Sequence, residues 1–136
     1  MRFTKLTPNL IVPNVEASLD FYCNVLGFAR GMTVPDSSPY VFGSVVSGDG
    51  SNGVEIFFND QKAVAEEDAA LGGKPIGGSL TLFIEVEGIV DFYRKVQQHG
   101  VKITMPIKDQ FYGMREFGMQ DPDGWVITFA ERIAKL

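Results

Sequence analysis

Side chains able to do chemistry are few in this chain. There is one histidine, His99, and one cysteine, Cys23. His99 stands beside Gly100 at the end of a helix-like segment, where partial positive charge suits the helix dipole, so it reads as a cap rather than a ligand. A single imidazole leaves no histidine-rich metal site. Cys23 lies among apolar helical neighbours with no histidine near it in sequence to activate it, which predicts a buried structural thiol and not a nucleophile. Standing alone, it can form no intramolecular disulfide, and a reducing cytoplasm is the expected setting. Among the carboxylates in strand-like segments, Glu55 and Glu116 are the candidates. Either could serve as a general base, but no stabiliser for the oxyanion is visible beside them. Glu55, set among Val, Ile and Phe, would cost several kcal/mol as a lone buried anion. It must therefore be solvated, protonated or paired, and a partner could be a cationic ligand also held against an aromatic face, or an internal base such as Arg115 or Lys102.

The elements that must position these residues occur twice. Leu19-Asp20-Phe21-Tyr22 is echoed about 70 residues later by Val90-Asp91-Phe92-Tyr93, and each helix-like segment closes on a glycine, Gly27 or Gly100. Val54-Glu55-Ile56-Phe57-Phe58 is echoed by Val126-Ile127-Thr128-Phe129. A repeat of this period is one supersecondary unit used twice. The first copy predicts a strand over 3–12, with Pro8 tolerable near its start. A helix over 15–26 follows, N-capped by Asn14 and stopped by Gly27. Strands are then expected over 28–34, 40–47 and 53–58, with a tight turn at Asp49-Gly50 before the last. The acidic, Ala-rich stretch ended by paired glycines reads as a short helix and flexible linker over about 60–78. The second copy predicts a strand over 79–86, a helix over 89–98, and strands over 101–107, 112–119 and 125–131. Asp121-Pro122-Asp123-Gly124 carries the residues of a type I turn between the last two. The fold class is thus α+β: two tandem βαβββ modules, about 3–59 and 79–132, within a single domain over 1–136. Their strands form a curved mixed sheet with a concave cup, and the helices cover the outer face.

Composition agrees with one ordinary globular domain. Of 136 residues 45% are hydrophobic, and the formal net charge is -5. Without a basic stripe to neutralise phosphates, nucleic acid is excluded as a partner. No apolar run approaches the roughly 20 residues of a membrane span, and the proline-broken start does not read as a signal peptide.

Thr7-Pro8-Asn9-Leu10, the helix Ser18-Leu19-Asp20-Phe21-Tyr22 through Leu26-Gly27-Phe28, Val54-Glu55-Ile56-Phe57-Phe58, and Tyr112-Gly113-Met114-Arg115-Glu116-Phe117 running into Asp121-Pro122-Asp123-Gly124 together resemble the vicinal-oxygen-chelate superfamily. That superfamily includes glyoxalase I, extradiol dioxygenases and the fosfomycin- and bleomycin-resistance proteins. The resemblance implies four metal-ligand positions, which fall here on Thr7, Glu55, Thr81 and Thr128. Neutral hydroxyls are poor ligands for a divalent transition metal, and one carboxylate cannot hold such an ion tightly. No metal or other cofactor is therefore expected, and no catalytic residue is assigned.

By the bleomycin-resistance branch, the resemblance implies an acidic homodimer that sequesters a flat cationic drug between subunits without chemistry. The alternative is a glyoxalase-like lyase or isomerase, whose metal would polarise adjacent oxygens. A purely structural role for a dimer is the third reading. Period-two alternation from the four positions predicts the inward-facing residues. The ligand-binding set expected from it is Glu55, Phe57, Thr81, Phe83, Met114, Glu116 and Thr128, with Tyr112 and Phe42 beside them. Asn9, Ile11, Ser79 and Val126 share that face. Phe57 and Phe83 could equally be core. Tyr40 is a further candidate, and Trp125 reads as packing beside the turn.

Overall fold

The computed structural model describes residues 1–48 and 53–134. The turn expected at Asp49-Gly50 lies outside the described residues. The chain forms two compact units, Met1–Lys74 and Pro75–Leu136.

In the first unit the order is β1 (Asn9–Val12), α1 (Val15–Asn24), β2 (Ala29–Val34), β3 (Phe42–Val46), β4 (Glu55–Asp60) and α2 (Gln61–Glu67). A single 3₁₀ turn over Ala69–Leu71 follows. The sheet order is β1-β4-β3-β2, with β1 parallel to β4 and the other pairs antiparallel. In the second unit β5 (Thr81–Glu85), α3 (Ile89–Gln98), β6 (Lys102–Asp109), β7 (Met114–Gln120) and β8 (Val126–Arg132) repeat that plan. Its order, β5-β8-β7-β6, is the first unit's order with a parallel β5–β8 pair. The twofold sequence echo is thus a twofold topology, and each helix lies outside its mixed four-stranded sheet.

Alternation along the strands decides which residues meet the helices. In β4, Ile56 and Phe58 are buried, and the Phe58 ring lies 4.8 Å from that of Tyr22 on α1. In β7 and β8, Phe117 and Phe129 are buried, and Phe92 of α3 meets Phe129 at 4.8 Å. The two Phe-Tyr echoes are therefore helix residues facing a Phe-bearing strand.

Local capping follows the sequence where a side chain can supply it. Asn14 accepts from Ala17 N at 2.9 Å, closing the first turn of α1. The helix ends at Asn24, two residues before the expected limit, and Gly27 takes φ +87 as the chain turns away. The first strand is also shorter than expected. It begins at Asn9, and Phe3 is 91% exposed. Pro8 has no N–H to donate, and its carbonyl joins the ladder by accepting from Phe57 N at 2.9 Å.

Helix α3 has no side-chain N-cap of its own, because Gly88 occupies the cap position in left-handed conformation. Glu131 of β8 supplies the missing acceptor, taking Gly88 N at 3.0 Å and Ile89 N at 3.1 Å. Those two backbone bonds, helped by Arg115, hold its carboxyl below the ordinary value near 4.5. A carboxyl with a depressed folded-state pKa stabilises above its unfolded value and loses that contribution as pH falls through the folded one. Melting temperature is accordingly expected to drop as pH is lowered below about 4.5. Glu131→Gln, which keeps an acceptor but removes the charge, is expected to melt lower at pH 7 and to flatten that slope. Identical pH profiles for the two proteins would contradict the capping role.

Candidate functional site

The side chains left over by helix packing face away from the helices. In the first unit these are Asn9 and Ile11 of β1, Glu55, Phe57 and Asn59 of β4, and Phe42 and Ser44 of β3, by register Asn9↔Phe57↔Ser44 and Asn59↔Phe42. Phe57 and Phe42 stack edge to face at 5.1 Å, both half-buried. Asn59 Nδ2 donates to Asn9 Oδ1 across the parallel pair. Phe57 is thus a wall of this face and not part of the core under α1. Tyr40 stands apart from this group, its ring 5.9 Å beneath the Arg30 guanidinium.

Glu55 has an internal partner. Lys5 Nζ bonds to Glu55 Oε1, and the carboxylate side chain is 26% exposed. Neither base expected from sequence serves. Arg115 is held by Asp109 through Nε at 2.6 Å and Nη2 at 3.1 Å, which holds the Asp109 carboxyl below its usual range. It stands two residues before Phe117 on the same strand and so projects to the same, helix-facing side of its sheet. Lys102 forms no ion pair among the described residues. Lys5 lies 50 positions from Glu55 and, although inside the strand expected over 3–12, stands before the first residue of β1, so strand pairing did not identify it as the partner.

In the second unit the corresponding face carries Thr81 and Phe83 of β5, Val126, Thr128 and Ala130 of β8, and Met114, Glu116 and Gly118 of β7. Thr81 Oγ1 and Thr128 Oγ1 are 3.3 Å apart and share a hydrogen bond. Phe83 is 54% exposed, so it is not core. Met114 and Glu116 are buried, at 5% and 3% exposure. Tyr112 OH donates to Glu116 Oε1 at 2.8 Å, and that bond, reinforced by burial, pushes the phenol's pKa up and keeps it a donor. Glu116 Oε2 is buried without a partner among the described residues. Ser79 lies exposed just before β5. Trp125 is half-buried at the turn, where its backbone N–H and that of Asp123 donate to Asp121 Oδ1 at 3.0 and 2.9 Å.

The remaining chemistry-bearing groups are structural. His99 is the exposed C-cap residue of α3. Cys23 is half-buried rather than buried, and that burial raises its thiol pKa against the opposing pull of Arg30, which disfavours a thiolate nucleophile. Thr7 is half-buried beside Pro8. Among the described residues no cluster of three or more His, Cys, Asp or Glu could hold a metal ion, and no helix is long and apolar enough to cross a membrane. An open groove of about 530 Å³ between α3 and β6 was not foreseen from sequence. Its two arginines, Arg94 and Arg115, are already neutralised by Asp91 and Asp109.

Two βαβββ units, each with one helix-packed face and one face of mixed aromatic, hydroxyl and carboxylate side chains, define a tandem-module α+β protein. The sequence model of the Glyoxalase/Bleomycin resistance protein/Dioxygenase superfamily matches residues 4–129, and the chain belongs to that superfamily. It is 28% identical over 132 residues to a bleomycin resistance protein of Geobacillus stearothermophilus, covering 93% of this chain and 95% of the relative. Among solved structures, a member of the same superfamily from Sphaerobacter thermophilus superposes with TM-score 0.75 at 22% identity, over 95% of this chain and 98% of the other. An antibiotic binding protein from a Streptomyces species superposes with TM-score 0.68 at 21% identity, over 97% and 99% of the two chains.

Proposed function

We propose that the protein is a metal-independent small-molecule binding protein of the bleomycin-resistance type. It sequesters a cationic, aromatic ligand on the sheet faces turned away from the helices, and acts as a cytoplasmic homodimer with ligand sites shared between subunits. The observation carrying this reading is the state of the four metal-equivalent positions. Thr81 and Thr128 are neutral hydroxyls that share one hydrogen bond, and Glu55, the one carboxylate among the four, is paired with Lys5. Such a donor set does not fit a divalent transition metal, which favours imidazole, thiolate and free carboxylate. A glyoxalase-like step needs polarisation of adjacent oxygens, which these side chains do not supply. The stacked Phe42–Phe57 pair and exposed Phe83 offer flat surface for an aromatic body. The bleomycin resistance relatives and the antibiotic-binding structural neighbour support a binding role.

Metal analysis and thermal shift test this together. Purified protein dialysed after exposure to Ni²⁺ or Zn²⁺ is expected to retain well under one ion per subunit and to melt at the same temperature with or without EDTA. Bleomycin or proflavine is expected to raise the melting temperature, and EDTA is expected to leave that rise intact. At a hundredfold excess over Kd the gain would be about 2.7 kcal/mol. One tightly held ion per subunit, or a ligand shift abolished by EDTA, would overturn the proposal.

A further inference from the structure

Glu55 was the carboxylate expected to meet a ligand's charge, but its charge is already met by Lys5. Glu116 is in the opposite condition. It sits near the middle of β7, on the face away from α3, and only 3% of it is exposed. A carboxylate has two oxygens and about four lone-pair sites. Tyr112 contributes its one hydroxyl proton to Oε1, and no group among the described residues contributes to Oε2. The neighbours in register cannot help. Ala130 on β8 has no donor side chain, and Lys108 on β6 is exposed and forms no ion pair among the described residues. Gly118, the next residue on the same face of β7, has no side chain at all. A buried carboxylate oxygen left in this condition is costly, and a protein keeps such a group where something else completes it.

We infer that Glu116 is the charge-recognition residue of the ligand site: Oε2 accepts a charge-assisted hydrogen bond from an N–H-bearing cationic group of the ligand, an ammonium, amidinium or ring iminium. This rests on the small-molecule binding reading above and names its polar anchor. The chemistry selects a cation over a neutral donor because an N⁺–H···O⁻ bond is about twice as strong as a neutral one. It selects an organic cation over a metal ion because the adjoining groups are a phenol, a methyl and a thioether, Tyr112, Ala130 and Met114, which add no second carboxylate. Tyr112 positions the pair. By occupying Oε1 it leaves Oε2 as the single open acceptor, and it is itself the more exposed member of the pair.

The test is a fluorescence titration of the full chain at pH 7.5 with two planar probes, cationic proflavine and neutral acridine. Wild type is expected to bind proflavine at least tenfold more tightly than acridine. Glu116→Gln is expected to lose at least tenfold for proflavine and to bind acridine within twofold of wild type. Glu85→Gln serves as control for general charge, being an exposed carboxylate in the same cross-strand row beyond Ala130. It is expected to change neither affinity by more than twofold. Proflavine affinity unchanged in Glu116→Gln, or equally reduced in Glu85→Gln, would overturn the assignment while leaving small-molecule binding intact. If wild type binds neither probe nor bleomycin, the binding reading itself fails, and this anchor with it. Should Glu116→Gln fail to fold, Tyr112→Phe carries the test. Freeing Oε1 is expected to raise proflavine affinity at least threefold and leave acridine alone, and no rise for proflavine would overturn the inference.

Discussion

Phe117→Ala is expected to cost about 3–5 kcal/mol of folding stability. Phe117 is fully buried in β7, and its ring lies 4.8 Å from Tyr93, 5.3 Å from Phe129 and 6.0 Å from Phe92. Removing it deletes one large apolar side chain and leaves a cavity among three aromatic neighbours, which are too large to collapse into it. The loss of its tilted ring contacts adds to the transfer cost. Urea unfolding followed by fluorescence should show a lower midpoint with little change in slope. Phe3→Ala is the matched control, since Phe3 is 91% exposed and its truncation should change stability by no more than about 0.5 kcal/mol. A Phe117→Ala cost under about 1 kcal/mol would mean that this cluster does not anchor the second unit.

Gly43→Val is the second large effect, and its cause is excess volume. A Cβ at Gly43 would stand 2.9 Å from Leu19 Cδ1 and 3.0 Å from Val15 Cγ1. Leu19 and Val15 are the buried stripe of α1, at 0% and 2% exposure, so neither can swing aside into solvent. Overpacking of this kind costs about 1–3 kcal/mol, and a branched side chain belongs at the upper end. Leu19→Ala alone should cost about 2–5 kcal/mol. Because the two changes share one volume, the double variant is expected to be more stable than the sum of the single losses predicts, and thermal melts of the four proteins would show it. Strict additivity would indicate that α1 moves off β3 instead of resisting.

The pattern of elements was legible in the residues because it is written in short-range periodicities. Helix α3 runs over Ile89–Gln98, the limits read from its apolar spacing and from Gly100. Asn14 caps α1 as its side-chain chemistry requires. The repeat of Asp-Phe-Tyr and of the later Val-rich strands implied two copies of one topology, and the strand orders β1-β4-β3-β2 and β5-β8-β7-β6 are that repetition. The start of β1 was misjudged because an apolar alternation says nothing about whether a partner strand is there to pair with. Residues before Asn9 find none beyond the Pro8 carbonyl.

Side-chain partnerships were a different matter. Alternation placed Glu55 and Phe57, and likewise Thr81, Thr128 and Glu116, on the faces turned from the helices, and the ladders agree. It could not say that Glu55 would be met by Lys5, 50 positions away, or that Arg115 would pair with Asp109, its neighbour across the ladder. Nor could it distinguish a satisfied carboxylate from one with a buried open oxygen, which is the difference between Glu55 and Glu116.

The amino-acid sequence by itself determined the tandem βαβββ plan, the face on which each strand residue stands, and the hydroxyls at three of the four metal-equivalent positions, because residue type, period and turn chemistry act within a few residues. Only the tertiary structure decided which of those groups are spent on one another and which remain available. Hydrogen bonds and ion pairs depend on distances of about 3 Å between atoms that the chain brings together from far apart.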